Sequence, residues 1–336
     1  MSEVAMEREM ALIELLADGA FHSGEAIASH LGITRAAVWK ALRKAADELG
    51  LALESVRGRG YRLLTPLELL DSARLLGAMS DSGRHLVSRL ELHRQIDSTN
   101  AFLMRAAAAG APSGTVCIAE HQTAGRGRRG RSWQSPFGVN LYLSVLWRYP
   151  AGPGALGGMS LAAGATVAKV LAAEGAREVA LKWPNDILWR RRKLAGLLLE
   201  VAGESQGPSH LVVGLGINMS MREGQAAEID QPWVSLDEIL APGRLSRNQL
   251  AGALAEALLS ALECYGREGL APFLGRWRTF DALMDAPVQV ILGDQVVEGR
   301  HAGVADDGAL QLETADGLRR FHAGEVSLRP IETSSL

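Results

Sequence analysis

Gly125-Arg126-Gly127-Arg128-Arg129-Gly130-Arg131, entered from Glu120-His121-Gln122 and left through Ser132-Trp133, packs three glycines and four arginines into seven residues. It spells G-x-G-x-x-G, and that pattern marks a dinucleotide-binding fold only where it comes after a strand and opens a helix. Val116–Glu120 reads as the preceding strand. Downstream, however, the chain runs through Ser135-Pro-Phe-Gly138 into Leu141–Trp147, an apolar run alternating with Tyr and Ser, which reads as a second strand. The dinucleotide reading is therefore rejected. No G-x-x-x-x-G-K-[ST] occurs, so a P-loop is absent too. Glycine lets backbone approach a ligand, and arginine grips carboxylate or phosphate with a planar fork. No acid occurs between Gln122 and Arg148. The segment reads as a loop closing around a small anion, with a solvated basic surface loop as the plainer alternative.

The 336 residues allow two or three domains. Net charge is −3, so any nucleic-acid site must be local. Cys117 and Cys264 stand far apart in no metal spacing, which argues against a zinc site and fits a cytoplasmic protein. The charged N-terminus does not read as a signal peptide. No membrane span is expected, and no metal site in the protein itself. Lysine stands at only five of 35 basic positions, 40, 44, 169, 182 and 193. Where such a chain keeps a lysine, a compact point charge is favoured.

Residues 1–65 read as a winged helix-turn-helix. Met6–Ala17 is the first helix; Ser23 caps a second through Leu31, Gly32 breaks it, and Thr34 caps a third to about Leu49. Leu51–Val56 and Tyr61–Leu64 flank Arg57-Gly58-Arg59-Gly60 as a basic wing. Thr34–Arg62 holds seven bases and three acids, a local balance of +4 against −3 overall. Arg35, Trp39, Lys40 and Arg43 share a face away from Val38 and Leu42, as a helix entering the major groove requires. Ser23, Thr34, Arg57 and Arg59 complete the expected DNA face; a protein-contact module is the alternative.

Residues 75–277 read as an α/β unit with a mixed sheet. Strands are expected at His93–Ile96, Val116–Glu120, Leu141–Trp147, Val179–Lys182, Lys193–Val201 and Leu211–Ile217, and helices at Asn100–Ala109, Leu156–Ala173 and Arg247–Arg267. Ser246 to Gln249 spells a capping box. Residues 284–331, with turn signals at Gly293-Asp294, Asp306-Asp307-Gly308 and Asp316-Gly317, predict a small SH3-like β barrel.

Five motifs line up in the middle unit: Asp97-Ser98-Thr99-Asn100, Gln122 with Gly125–Arg131, Lys182-Trp183-Pro184-Asn185-Asp186, Arg192-Lys193-Leu194-Ala195-Gly196, and Gly214-Leu215-Gly216-Ile217-Asn218. In this order and spacing they closely resemble the biotin protein ligase family. With the helix-turn-helix, the chain resembles its bifunctional bacterial members, ligase and biotin-operon repressor in one; the resemblance covers essentially the whole sequence. It implies that biotin and MgATP give biotinyl-5′-adenylate. Biotin then passes to a lysine of the biotin carboxyl carrier protein of acetyl-CoA carboxylase. It further implies a ligand-induced homodimer on operator DNA.

Bringing a carboxylate against a polyphosphate requires fixed positive charge and exclusion of water. Arg126, Arg128, Lys182 and Lys193 are the catalytic candidates. By resemblance, Ser98, Thr99, Asn100 and Gln122 hold the biotin ureido group, and Gly125, Gly127, Gly196, Leu198, Gly214 and Gly216 complete the biotin pocket, which Arg126, Arg128 and Lys193 also reach. Asn185, Asp186, Asn218 and Trp233 join the four cations around the adenylate and ATP, with Mg2+ carried by ATP near Asp186. Several have plainer readings: Ser98 as a helix cap, Asp186 in a turn, Asn218 closing a strand, Trp233 in a core. His121 and Ser132 depart from the family pattern beside the arginine loop, which bears on how tightly adenylate is retained. A lipoate-type ligase and a sensor-only repressor remain the competing readings.

Overall fold

The structure is a computed structural model describing residues 3–324 and 326–331; Met1, Ser2 and Glu325 of the expected units lie outside the described residues. In the N-terminal unit, α1 (Glu3–Leu16), α2 (Gly24–Leu31) and α3 (Arg35–Leu49) are followed by β1 (Leu53–Val56) and β2 (Gly60–Leu63). Ser23 and Thr34 cap as expected, and Gly32 and Gly50 end the helices at φ 63° and 66°. Leu12, Ile13, Ile27, Val38 and Leu42 form the core. Phe137, from the segment after the arginine loop, is fully buried in that same core.

The middle unit adds α4 (Ser72–Gly77), α5 (Asp81–Leu86), β3 (Arg89–His93), α6 (Thr99–Ala108), β4 (Thr115–Ala119), β5 (Leu141–Tyr149) and α7 (Met159–Ala173). It continues with β6 (Val179–Lys182), β7 (Asp186–Trp189), β8 (Arg192–Gly203), β9 (Ser209–Ile217), α8 (Leu236–Leu240), α9 (Arg247–Glu268) and α10 (Ala271–Phe280). The seven strands run β3-β4-β5-β9-β8-β7-β6, with β3 and β4 parallel and the other pairs antiparallel. β3 lies upstream of the expected His93–Ile96, because Ile96 makes only an isolated bridge to Gln122. β7 was not expected. Its tight turn puts Arg190 and Arg191 at positive φ, 45° and 66°, without the Asn or Gly that would advertise it.

Side-chain alternation sorts the two faces of the sheet. Leu143 and Val145 of β5, and Val213, Leu215 and Ile217 of β9, face the main core with α7 and α9. Leu146 and Val212 face the opposite side with α6, and Ser144 and Gly214 lie in register with each other and with Leu198 across three strands. Pro153–Ala173 has the length and hydropathy of a membrane span, contrary to the expectation that no segment reaches it. Its helical part, α7, is instead a core helix packed on α9 and α10. Ser246 caps α9 by accepting the Gln249 N–H at 3.3 Å, and Glu68 holds the same helix start from the linker.

In the C-terminal unit, β10 (Pro287–Leu292), β11 (Gln295–Val304), β12 (Leu310–Thr314), β13 (Gly317–Phe321) and β14 (Val326–Pro330) form a five-stranded antiparallel sheet in the order β13-β12-β11-β10-β14. β11 is shared, its first half paired with β10 and its second half, with a bulge between His301 and Val304, paired with β12. The sheet packs back on the middle unit: the Trp183 indole N–H donates to the Gly308 carbonyl at 3.1 Å.

Candidate functional site

A cavity of about 370 Å³ opens on the α6 side of the sheet. Its wall includes Ser98, Thr99, Asn100, Gln122, Arg126, Gly127, Arg128, Lys182, Asn185, Asp186, Lys193, Gly196, Leu198, Gly214, Gly216, Asn218 and Trp233. Of the residues expected around the ligand, only Gly125 stands back from the wall; a Cβ there would lie 2.6 Å from the Trp133 carbonyl oxygen, so it lets the loop fold on itself.

One end is a network of hydroxyls and side-chain amides at the start of α6, closed by the Glu200 carboxylate. Ser98 caps the helix through the Ala101 N–H, confirming its plainer reading alongside its place in the wall. The Gln122 side-chain carbonyl accepts the Thr99 N–H at 2.9 Å, and its amide donates to Ser135 Oγ at 3.2 Å. Asn100 donates to the Leu198 carbonyl at 3.1 Å and to Glu200 at 2.8 Å. A Cβ on Gly214 would sit 2.1 Å from Asn100 Oδ1, and one on Gly216 2.4 Å from the Trp133 ring. These strand glycines make room for protein side chains as well as for a ligand.

The other end gathers charge. The arginine loop turns back on itself, with the Gly127 N–H donating to the Arg131 carbonyl at 2.7 Å and Arg129 in the left-handed region at φ 59°. It leads into β5, as expected, and not into a helix. Arg128 donates to Asn185 Oδ1 at 3.1 Å and to the Gly324 carbonyl of the C-terminal unit. Burial lowers its pKa from the ordinary arginine value, yet an arginine stays charged. Arg126 is half-exposed and lies 3.8 Å from Glu200, the carboxylate that Asn100 bonds, so it stands between the two ends.

Lys193 reaches the cavity because β8 carries a bulge. Leu188 pairs with Lys193 while Ile187 pairs with Ala195, so Leu194 is an extra residue and both Leu194 and Ala195 are buried in the core. The bulge re-aims the side chain before it. The Lys193 ammonium lies 2.7 Å from Asp186, and Lys182 lies 4.0 Å from the same carboxylate. Burial lowers the Lys182 pKa; Asp186 opposes this, while Lys193, Arg329 and Arg131 reinforce it. Asn218 donates to the Lys193 and Val234 carbonyls, both at 3.3 Å, so it fastens the strand ends. Trp233 bridges Lys193.

On the N-terminal unit, Arg35, Trp39, Lys40, Arg43, Arg57 and Arg59 are exposed as expected. Trp39 stacks on Tyr61 at 5.7 Å, and Arg59 lies 4.0 Å over the Phe21 ring. Ser23 and Thr34 face outward while engaged as caps.

Residues 92–218 match the biotin/lipoate A/B protein ligase family, 285–329 the biotin protein ligase C-terminal domain, and 8–62 a helix-turn-helix domain. The bifunctional ligase/repressor BirA of Escherichia coli is 44% identical over 96% of this chain and 97% of its own. The chain belongs to the biotin protein ligase family. The biotin–[acetyl-CoA-carboxylase] ligase of Mycobacterium tuberculosis is 37% identical to this ligase over 71% of the chain and 88% of its own. The Aquifex aeolicus biotin protein ligase in complex with biotin and ATP superposes with a TM-score of 0.63 at 28% identity, covering 73% of this chain and all of that one.

Sequence reasoning missed several residues of this ligase. Ser144, behind the wall, looks like the polar step of an alternating strand. Trp133 and Glu200 carry no motif of their own. Leu328 and Arg329 arrive from a separate unit, and only the fold brings them to Lys182.

Proposed function

We propose that this ligase activates biotin with ATP and delivers it to a lysine of a biotin carboxyl carrier protein in the cytoplasm, and that as a homodimer holding biotinyl-adenylate it represses biotin synthesis genes. The observation that carries the reading is one cavity with hydroxyls and amides at one end and clustered cations at the other. Thr99, Gln122 and the α6 start suit the ureido ring. Arg126, Arg128, Lys182 and Lys193 suit the carboxylate and phosphates. In the first step a biotin carboxylate oxygen attacks the α-phosphorus and pyrophosphate leaves. In the second, the carrier lysine amine attacks the acyl carbon and AMP leaves. The cations hold like charges together and stabilise the charge that develops.

Among the described residues no group of three or more His, Cys, Asp or Glu stands together. Asp186 lies beside two ammonium groups, which disfavours a divalent ion on it. Mg2+ would therefore ride on the phosphates of ATP and offset part of their charge.

Repression needs the cavity to reach the DNA-binding unit. The strap Trp133–Phe137 supports such a path, with Trp133 in the cavity wall and Phe137 in the winged-helix core. The homodimer reading is supported by β8, whose pairing with β7 stops at Gly196 and leaves 199–203 with one unpaired edge among the described residues. Biotin-dependent exchange of pyrophosphate into ATP tests the activity, with lipoate in parallel. Exchange with biotin alone is expected. Exchange with lipoate instead would make it a lipoate-type ligase, and no exchange despite biotin binding would leave a sensor-only repressor.

A further inference from the structure

Ser144 lies in the middle of β5, fully buried and behind the cavity wall. Its Oγ is 2.7 Å from two oxygens at once, Thr99 Oγ1 and Asn100 Oδ1. A serine hydroxyl has one proton to give. Asn100 decides where it goes. The Asn100 amide nitrogen donates to the Leu198 carbonyl and the Glu200 carboxylate, groups that only accept. Oδ1 is thereby turned to Ser144 and takes its proton. Ser144 must then accept from the Thr99 hydroxyl. The other neighbour of that hydroxyl, Gln122 Oε1, is farther away at 3.2 Å and already receives the Thr99 N–H. With its proton committed to Ser144, Thr99 shows the cavity a lone pair and no donor.

We infer that Ser144 is a positioning residue that fixes the hydrogen-bond polarity of the head-group subsite, making Thr99 an acceptor that selects a ring N–H. This rests on the reading that Thr99 faces the ureido ring. A buried site built to pair an N–H rejects an analogue lacking it far more strongly than a greasy pocket rejects a change of size. Without Ser144, the Thr99 hydroxyl turns freely and donates as readily as it accepts, so the selectivity goes while the ring still binds.

The test compares biotin with two cyclic carbamates, each replacing one ureido N–H by a ring oxygen, in pyrophosphate exchange by the full-length protein. The wild type should reject one carbamate by about a hundredfold or more in kcat/KM. Ser144→Ala should cut that ratio by about tenfold or more, with the other carbamate and the KM for ATP unchanged. Ser144→Cys, nearly isosteric and a weaker donor, should fall between, and it carries the test where the alanine variant does not fold. Thr99→Val reports on the underlying reading: unchanged biotin KM and unchanged ratios would mean that Thr99 does not touch the ring. Should Thr99→Val shift them while both Ser144 variants keep the wild-type ratio, the polarity role of Ser144 is overturned and the site reading survives.

Discussion

On the proposed reading Thr99, Asn100 and Ser144 form the head-group end of the cavity, buried and bonded to one another and to the strands, whereas at the far end Lys193 and Lys182 gather on Asp186 at 2.7 and 4.0 Å. The first arrangement is short-range and directional. It discriminates by leaving a partner unpaired when the ligand is wrong. The second acts at longer range and tolerates movement. Two lysines share one carboxylate there, and Arg128 leans on a neighbouring unit, so the positive charge is only partly neutralised until phosphates enter. On the proposed reading, recognition and reaction rest on different kinds of force within one cavity.

The largest break should come from the charged end. Lys193→Ala should lower adenylate formation by roughly 10²–10³-fold, the range for removing one charge-stabilising donor, as read by single-turnover formation of biotinyl-adenylate. Next comes a steric break at the head-group end. In Gly214→Ala the new methyl meets Asn100 Oδ1 at 2.1 Å, so overpacking of about 1–3 kcal/mol is expected. The KM for biotin should rise and the melting temperature fall while the KM for ATP stays put.

The pH profile sharpens the comparison further. Burial lowers the Lys182 pKa, so in the free enzyme its charge is lost as pH rises through a value below that of an ordinary lysine. The alkaline limb of kcat/KM for ATP should lie below the usual lysine range. Bound phosphate favours the ammonium, so the limb of kcat should lie higher. Lys182→Arg should move the free-enzyme limb upward. The smallest effect is expected at Arg329, an exposed cation supplied by the C-terminal unit. Arg329→Ala should raise the KM for ATP by about two- to fivefold, in keeping with the modest worth of exposed charges, without altering biotin binding.

The two ends were also unequally legible in the sequence. Gly125–Arg131, Lys182 and Lys193 announce themselves as charge where acids are absent, and Ser23, Gly32 and Thr34 delimit the helix-turn-helix by local capping alone. At the other end Ser98, Thr99, Asn100 and Gln122 stand out only through the family resemblance, and Ser144 not at all. Ser144 matters only because strand register sets it beside Thr99 and Asn100, a relation between β5 and α6 that no local pattern encodes. The aim of Lys193 depends on a bulge, and β7 on a turn of two arginines in a conformation usually left to glycine or asparagine. Arg329 needs tertiary packing to reach the site. The short helices α4 and α5 span six residues each and offer too few turns for a periodic signal.

The most direct test of the division is to compare Thr99→Val with Lys182→Ala, measuring biotin affinity by calorimetry without ATP and the single-turnover adenylation rate at saturating biotin. Crossed effects are expected. Thr99→Val should weaken biotin binding about tenfold with little change in rate, and Lys182→Ala should leave biotin affinity near wild type while the rate falls about a hundredfold. If both variants change affinity and rate by the same factors, recognition and reaction are not separated along the cavity and the account is wrong.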